Sequence, residues 1–113
     1  MNSAKKGFQA ERELAEIFRS HGYEVQRGGS LSFGERPDLF GLPGVHVECK
    51  RVERLNTSEA MKQAVRDAAR FNDGAPTVFH RRSREQWLVT MRLPDWLRLY
   101  ERGDHAEDKN NVR

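Results

Sequence analysis

The sequence predicts a single α/β domain, a mixed sheet with helices packed on it. Three observations predict this. The chain has 113 residues, enough for one domain with a modest core. Its apolar residues switch between helical and alternating spacing in the order α-β-β-β-α-β-β-α. Neither a repeat nor a linker divides it. Apolar residues make up 36% and charged residues 33%, so the core must be compact.

The first helix covers Phe8 to Ser20, with Phe8, Ala10, Leu14, Ala15, Ile17 and Phe18 at helical spacing and Gly22 as its C-terminal cap. Tyr23–Arg27 alternates and reads as a strand. Gly28 to Arg36 is a polar loop. Pro37–Gly41 is a short extended piece, followed by the turn Leu42-Pro43-Gly44. Val45–Lys50 alternates again. Asn56-Thr57-Ser58-Glu59 supplies capping residues for a second helix, in which Met61, Ala64, Val65 and Ala68 recur at i, i+3, i+4 and i+7. Pro76–Arg81 and Gln86–Arg92 are strands joined by a basic turn. Leu93-Pro94-Asp95 opens a last helix carrying Trp96, Leu97 and Tyr100, and Trp87, Trp96 and Tyr100 are read as core. Leu99 falls off that helix's main stripe and leaves an apolar surplus suited to a dimer contact. The domain is expected over residues 1–102, with 103–113 a flexible tail.

Lys and Arg number 20 against 17 Asp and Glu, a net charge of +3 that points to an anionic partner. Arginine dominates the basic residues, and its planar fork suits phosphate. The one cysteine excludes a disulfide scaffold and a cysteine-based zinc site. With no run of about 18 apolar residues and no apolar stretch near the start, neither a membrane span nor a secretory signal is expected. The expected setting is therefore soluble and intracellular.

The chemistry lies in Pro37-Asp38 followed by Glu48-Cys49-Lys50. On a strand, His46, Glu48 and Lys50 share one face and Val45, Val47 and Cys49 the other. If the Asp38 segment pairs with this strand as a hairpin, Asp38 comes alongside Glu48. Two carboxylates held together repel unless a cation lies between them, and hard oxygens favour Mg²⁺, with Mn²⁺ as a substitute. Such a site suits phosphodiester hydrolysis, with Lys50 orienting or deprotonating water or stabilising the transition state. At about 100° per residue, Glu11 falls within roughly 40° of the centre of the first helix's apolar face. An acid on that stripe can reach the same metal past the sheet edge. Glu13 lies to the side and Glu16 faces solvent. The four histidines lack metal-ligand spacing, and His46 reads as a residue at the solvent edge.

Pro37-Asp38…Glu48-Cys49-Lys50 resembles the PD-(D/E)XK nuclease motif. Lys6-Gly7-Phe8-Gln9-Ala10-Glu11-Arg12-Glu13-Leu14 resembles the first helix of the archaeal-type Holliday junction resolvases in that superfamily. Glu48-Cys49-Lys50-Arg51-Val52-Glu53, Val78-Phe79-His80-Arg81 and Trp87-Leu88-Val89-Thr90 are similar to small phage and prophage resolvase-like proteins. The resemblance runs from Lys6 to Tyr100. It implies a restriction-endonuclease-like αβββαβ core, metal ligation by Glu11, Asp38 and Glu48, catalysis with Lys50, and a Mg²⁺-dependent endonuclease that nicks DNA as a homodimer. Ser30 and Ser32 are both candidates for a serine that some relatives place near the junction, and Gln63 for a glutamine near the site. Arg36, Arg51, Arg54, Arg66, Arg81, Arg82 and Arg84 are candidate DNA contacts. A Holliday junction resolvase or structure-selective nickase of phage type is the leading reading. A nonspecific or flap nuclease of the same fold and a non-catalytic DNA-binding module are the alternatives.

Overall fold

A computed structural model describes residues 3–28 and 37–103. The candidate residues Ser30, Ser32 and Arg36 and the expected tail beyond Gly103 lie outside the described residues. Helix α1 (Ser3–Ser20) is followed by strands β1 (Gln26–Arg27), β2 (Leu39–Phe40) and β3 (Val45–Arg51). Helix α2 (Thr57–Phe71), strands β4 (Ala75–Arg81) and β5 (Leu88–Met91) and helix α3 (Leu93–Arg102) complete the order. This is the α/β arrangement expected from the sequence. The strands form one sheet in chain order. Every neighbouring pair is antiparallel except β3 and β4, which α2 joins as a parallel crossover.

The two faces of the sheet carry different cores. Leu14 and Ala15 of α1 pack with Val25, Leu39, Val47 and Phe79. On the other face, Ala60 and Ala64 of α2 meet Val78. Small side chains let α2 approach the sheet closely. The inward stripe of α2 is Ala60, Ala64 and Ala68, so Val65, expected in the core, is 37% exposed. The parallel register pairs Glu48 with Val78, which puts Glu48 on the α2 face.

Two glycines fix how the elements join. Gly22 (φ 93°) closes α1 with Gly22 N–H donating to Arg19 O and Tyr23 N–H to Phe18 O. This is a Schellman turn, which needs a left-handed residue at that point. It absorbs Tyr23 to Val25, so the expected strand from Tyr23 shortens to Gln26–Arg27. Gly74 (φ 124°) lies where the starts of β3 and β4 cross, and a Cβ there would come 2.4 Å from the Gly44 carbonyl carbon. The crossing holds the end of α2 against the start of β3.

Helix α3 departs from expectation. Trp96 and Tyr100 are 46% and 48% exposed and stack on each other rather than entering the core. The buried residue of α3 is Asp95, clasped by Arg92 and Arg98. Trp87 does pack on the α1-side core, at the edge of β5. No helix among the described residues is long and apolar enough to cross a membrane.

Candidate active site

The antiparallel register of β2 on β3 pairs Leu39 with Val47, so Asp38 falls opposite Glu48. β2 is two residues long, and Asp38 lies where its pairing ends. That leaves an opening at the sheet edge. Helix α1 crosses the opposite face, and its half-buried Glu11 reaches round the edge to share a hydrogen bond with Asp38. Three carboxylates, from a helix, the residue just before β2 and a central strand, thus converge.

Their electrostatics register the crowding. Burial, and next the charge of Asp38, push the Glu11 carboxyl up from 4.5 to about 7, with Glu48 adding to the rise. Arg27 opposes it, its guanidinium stacked 3.7 Å over the Phe8 ring. Cys49 lies behind the cluster. Burial first, then the charges of Glu11, Asp38 and Glu48, push its thiol up to about 12, so it is no nucleophile.

Glu48 is 4% exposed and is held along its own strand. Lys50 Nζ lies 3.9 Å from Glu48 Oε2 and donates to Gln63 Oε1 at 2.8 Å. Gln63 therefore aims the ammonium from α2. On the other side, His46 Nε2 lies 3.3 Å from Glu48 Oε1. The expectation that His46 sits at the solvent edge is wrong: it is 1% exposed, because α2 covers this stretch of β3. Its Nδ1 faces Asp73 at 2.8 and 3.0 Å. Burial lowers the affinity of His46 for a proton, but hydrogen bonds to Glu48 and Asp73 and their charges outweigh it and raise its pKa. With a carboxylate at each nitrogen, the imidazolium, which donates from both, is the form that fits.

A small cavity of about 120 Å³ lies between Asp38, His46, Glu48, Gln63, Asp67 and Arg70. Asp67 and Asp73 were not singled out from the sequence. Asp67 follows Gln63 at i+4, so helical spacing alone carried its signal. Asp73 follows the αL residue Asn72 at the end of α2 and reads locally as a turn residue. The polar stripe expected along α2 divides: Gln63 and Arg70 line the site cavity, while Lys62 and Arg66 border a separate groove with Met61, Val65 and Arg92.

The remaining candidates spread around the far end of β3 and β4. Arg54 and Arg82 are exposed beside a cavity of about 350 Å³ that His80 and Arg81 also line. Arg82 pairs with Glu85, and Arg84 is exposed in the left-handed region at φ 63°. Arg51 reaches Ser83 Oγ at 3.5 Å. Arg81 is 13% exposed in its side chain, and its guanidinium grips both oxygens of Glu13 at 2.9 and 3.0 Å. Trp87 Nε1 adds a third bond to Glu13 at 2.7 Å.

The donor set fits a divalent cation. Glu11, Asp38 and Glu48 offer only hard carboxylate oxygens, and the raised Glu11 pKa marks a cost that a cation among them would remove. His46, Glu48 and Asp67 also place ligand atoms within 4.8 Å of one another. Both nitrogens of His46 are already committed, however. The family model described as archaeal Holliday junction resolvase (hjc) matches residues 2–111, nearly the whole chain. No curated protein matches the chain significantly.

Proposed function

The chain belongs to the archaeal Holliday junction resolvase family, and on that premise we propose that it is a Mg²⁺-dependent endonuclease that nicks branched DNA as a homodimer. The family is one of nucleases acting on Holliday junctions. The observation that carries the reading is the convergence of Glu11, Asp38 and Glu48 at the sheet edge with Lys50 beside Glu48. Glu11, Asp38 and Glu48 are the residues that would hold the ion. When bound, Mg²⁺ supplies Lewis acidity toward a phosphate oxygen and lowers the pKa of a bound water.

The chain's own groups do the rest. Lys50, aimed by Gln63, orients the attacking water and offsets charge growing on the phosphate. Arg51, Arg54, Arg82 and Arg84 contact backbone phosphates, a binding mode that weakens steeply with salt. The described residues hold one such site, and symmetric resolution of a four-way junction needs two cuts, which supports a two-fold dimer. The exposed apolar residues of α3, Trp96, Leu97, Leu99 and Tyr100, support the same reading. The stretches similar to phage and prophage resolvase-like proteins, Glu48–Glu53, Val78–Arg81 and Trp87–Thr90, support the phage-type, intracellular assignment.

One cleavage assay tests this. The protein is incubated with a labelled four-way junction, the matching duplex and its single strands, with Mg²⁺ or chelator, beside Asp38→Asn. The expected result is paired symmetric nicks in the junction alone, lost with chelator and in the variant. Equal cutting of every substrate would replace the resolvase with a nonspecific or flap nuclease. Binding without any cutting under any divalent metal would leave a DNA-binding module.

A further inference from the structure

His46 is the most completely buried ionisable side chain near the site, and neither the motif nor the chemistry above uses it. Its surroundings are built from three elements. β3 places His46 two residues before Glu48, on the same face. The last residue of α2, Phe71, lays its ring nearly parallel to the imidazole, 13° between planes at 6.4 Å between centroids. The Gly44–Gly74 crossing brings Asp73 to Nδ1. The ring therefore has one face and both nitrogens fixed.

The consequence falls on Glu48. Its Oε1 is held by His46 at 3.3 Å, while Lys50 faces Oε2 at 3.9 Å. His46 two residues before it and Lys50 two residues after it on one strand bracket the carboxylate and fix its plane. A carboxylate without such a bracket would swing toward Lys50 alone, or pay a larger penalty for burial.

We infer that Asp73–His46–Glu48 is a positioning chain: His46, anchored by Asp73, holds the Glu48 carboxylate in the orientation in which it ligates a divalent cation. The inference rests on the metal-site reading of Glu11, Asp38 and Glu48. His46 acts through Glu48 and does not itself bind the ion, because ligation through either nitrogen would break one of its two carboxylate contacts. Partners of metal ligands of this kind typically contribute roughly 10–100-fold to metal affinity.

The test reads Mn²⁺ binding to the full chain without DNA, as the dissociation constant from the free Mn²⁺ paramagnetic resonance signal. The variants are Asp38→Asn, His46→Leu, His46→Gln, Asp73→Asn and Asp67→Asn, each checked for folding by circular dichroism. Asp38→Asn is expected to lose binding. His46→Leu should weaken it roughly 10–100-fold and Asp73→Asn several-fold. His46→Gln, which keeps an N–H donor toward Glu48, should recover part of the loss, a rescue that a role in stability alone would not give. Asp67→Asn should bind as the parent does. If the parent takes up no Mn²⁺, or Asp38→Asn binds as well as the parent, the underlying metal-site reading fails and the chain with it. If the parent binds and Asp38→Asn does not, but His46→Leu and Asp73→Asn match the parent, the positioning chain alone is overturned. Equal weakening by Asp67→Asn and His46→Leu also overturns it, by making both residues ligands. If His46→Leu does not fold, Asp73→Asn decides, since it removes one charge and keeps the shape.

Discussion

Asp38→Asn should make the metal-free protein more stable, even though it removes one of the three proposed metal ligands. The magnitude follows from Glu11. Its carboxyl stands at about 7 instead of 4.5, with burial the first cause and Asp38 the second. The whole difference corresponds to roughly 3 kcal/mol at about 1.4 kcal/mol per pH unit. Asp38 supplies only part of it and is exposed, so screening leaves about 1 kcal/mol for the Asp38 charge. A domain of this size moves ~4–8 °C in Tm for each kcal/mol. The sign depends on pH. A group with a raised folded pKa contributes its full stability below its unfolded value of 4.5 and loses it as pH rises through about 7. At pH 8 in chelator, Glu11 is ionised against Asp38, and the variant should melt several degrees above the parent. At pH 5 Glu11 holds a proton and donates to Asp38, so the advantage should vanish or reverse. Adding Mg²⁺ at pH 8 should raise the Tm of the parent and leave the variant unmoved, because only the parent has the full carboxylate set. Scanning fluorimetry at both pH values, with chelator and with Mg²⁺, reads all four conditions. A variant that melts below the parent at pH 8 in chelator would refute the claim that these acids repel one another.

Three further outcomes test other parts of the structure. Lys50→Ala should cut junction cleavage by about 10²–10³-fold while Mn²⁺ binding and DNA retention on a gel persist, since the proposed role of the ammonium is on the reaction rather than on the ion; equal loss of metal binding would contradict that division. Glu13→Gln should destabilise the fold by about 1 kcal/mol in urea denaturation at pH 7, because a partly exposed carboxylate loses charged bonds to Arg81 and Trp87. Burial raises the Glu13 pKa but those bonds outweigh it and lower it, so its contribution is present at neutral pH and lost as pH falls below the usual carboxylate range, and parent and variant should converge there. Gly74→Ala should cost about 3 kcal/mol or more, seen as a large fall in urea midpoint, because the new methyl meets Gly44 backbone at 2.4 Å in a left-handed conformation.

How far the sequence revealed these features depended on the range of the contact concerned. The element order was legible because each element announces itself locally, through Leu14 and Ala15 on α1 or Val47 and Cys49 on β3. The alternation that places Glu48 and Lys50 on one face is a local fact, and a hairpin register made Asp38 their neighbour. Boundaries were less legible. Tyr23 to Val25 alternate like a strand, yet the Gly22 turn takes their backbone bonds. Val65 fits the helical stripe, but the sheet accepts only the alanine side of α2. The reading of His46 failed for a reason of range. Its burial depends on α2 covering β3, and its partner Asp73 is 27 residues away. Glu13 shows the same limit, since Arg81 lies 68 residues along the chain. A single sequence shows an acid beside a helix stripe, but it does not show which cation the fold will bring to it.

The position of the site explains why its acids come from both faces of the sheet. A metal centre needs carboxylates close together, and a strand can supply them on one face only at alternate residues. Glu48 and the bracketing His46 and Lys50 already fill that face of β3. Another acid at those positions would meet α2, where Ala60 and Ala64 leave room for packing and none for unpaired charge. The fold instead starts β2 only at Leu39, so that Asp38 comes from the segment just before it and Glu11 from the helix behind the sheet. The repulsion this creates falls on Glu11 and Asp38, the less buried acids, where Arg27 offsets part of it, while the buried member of the set, Glu48, is held by His46 and Lys50. Burial and pairing thus divide the three acids: Glu48 is fixed in place, and Glu11 and Asp38 remain the mutually repelling pair whose charge a cation would offset.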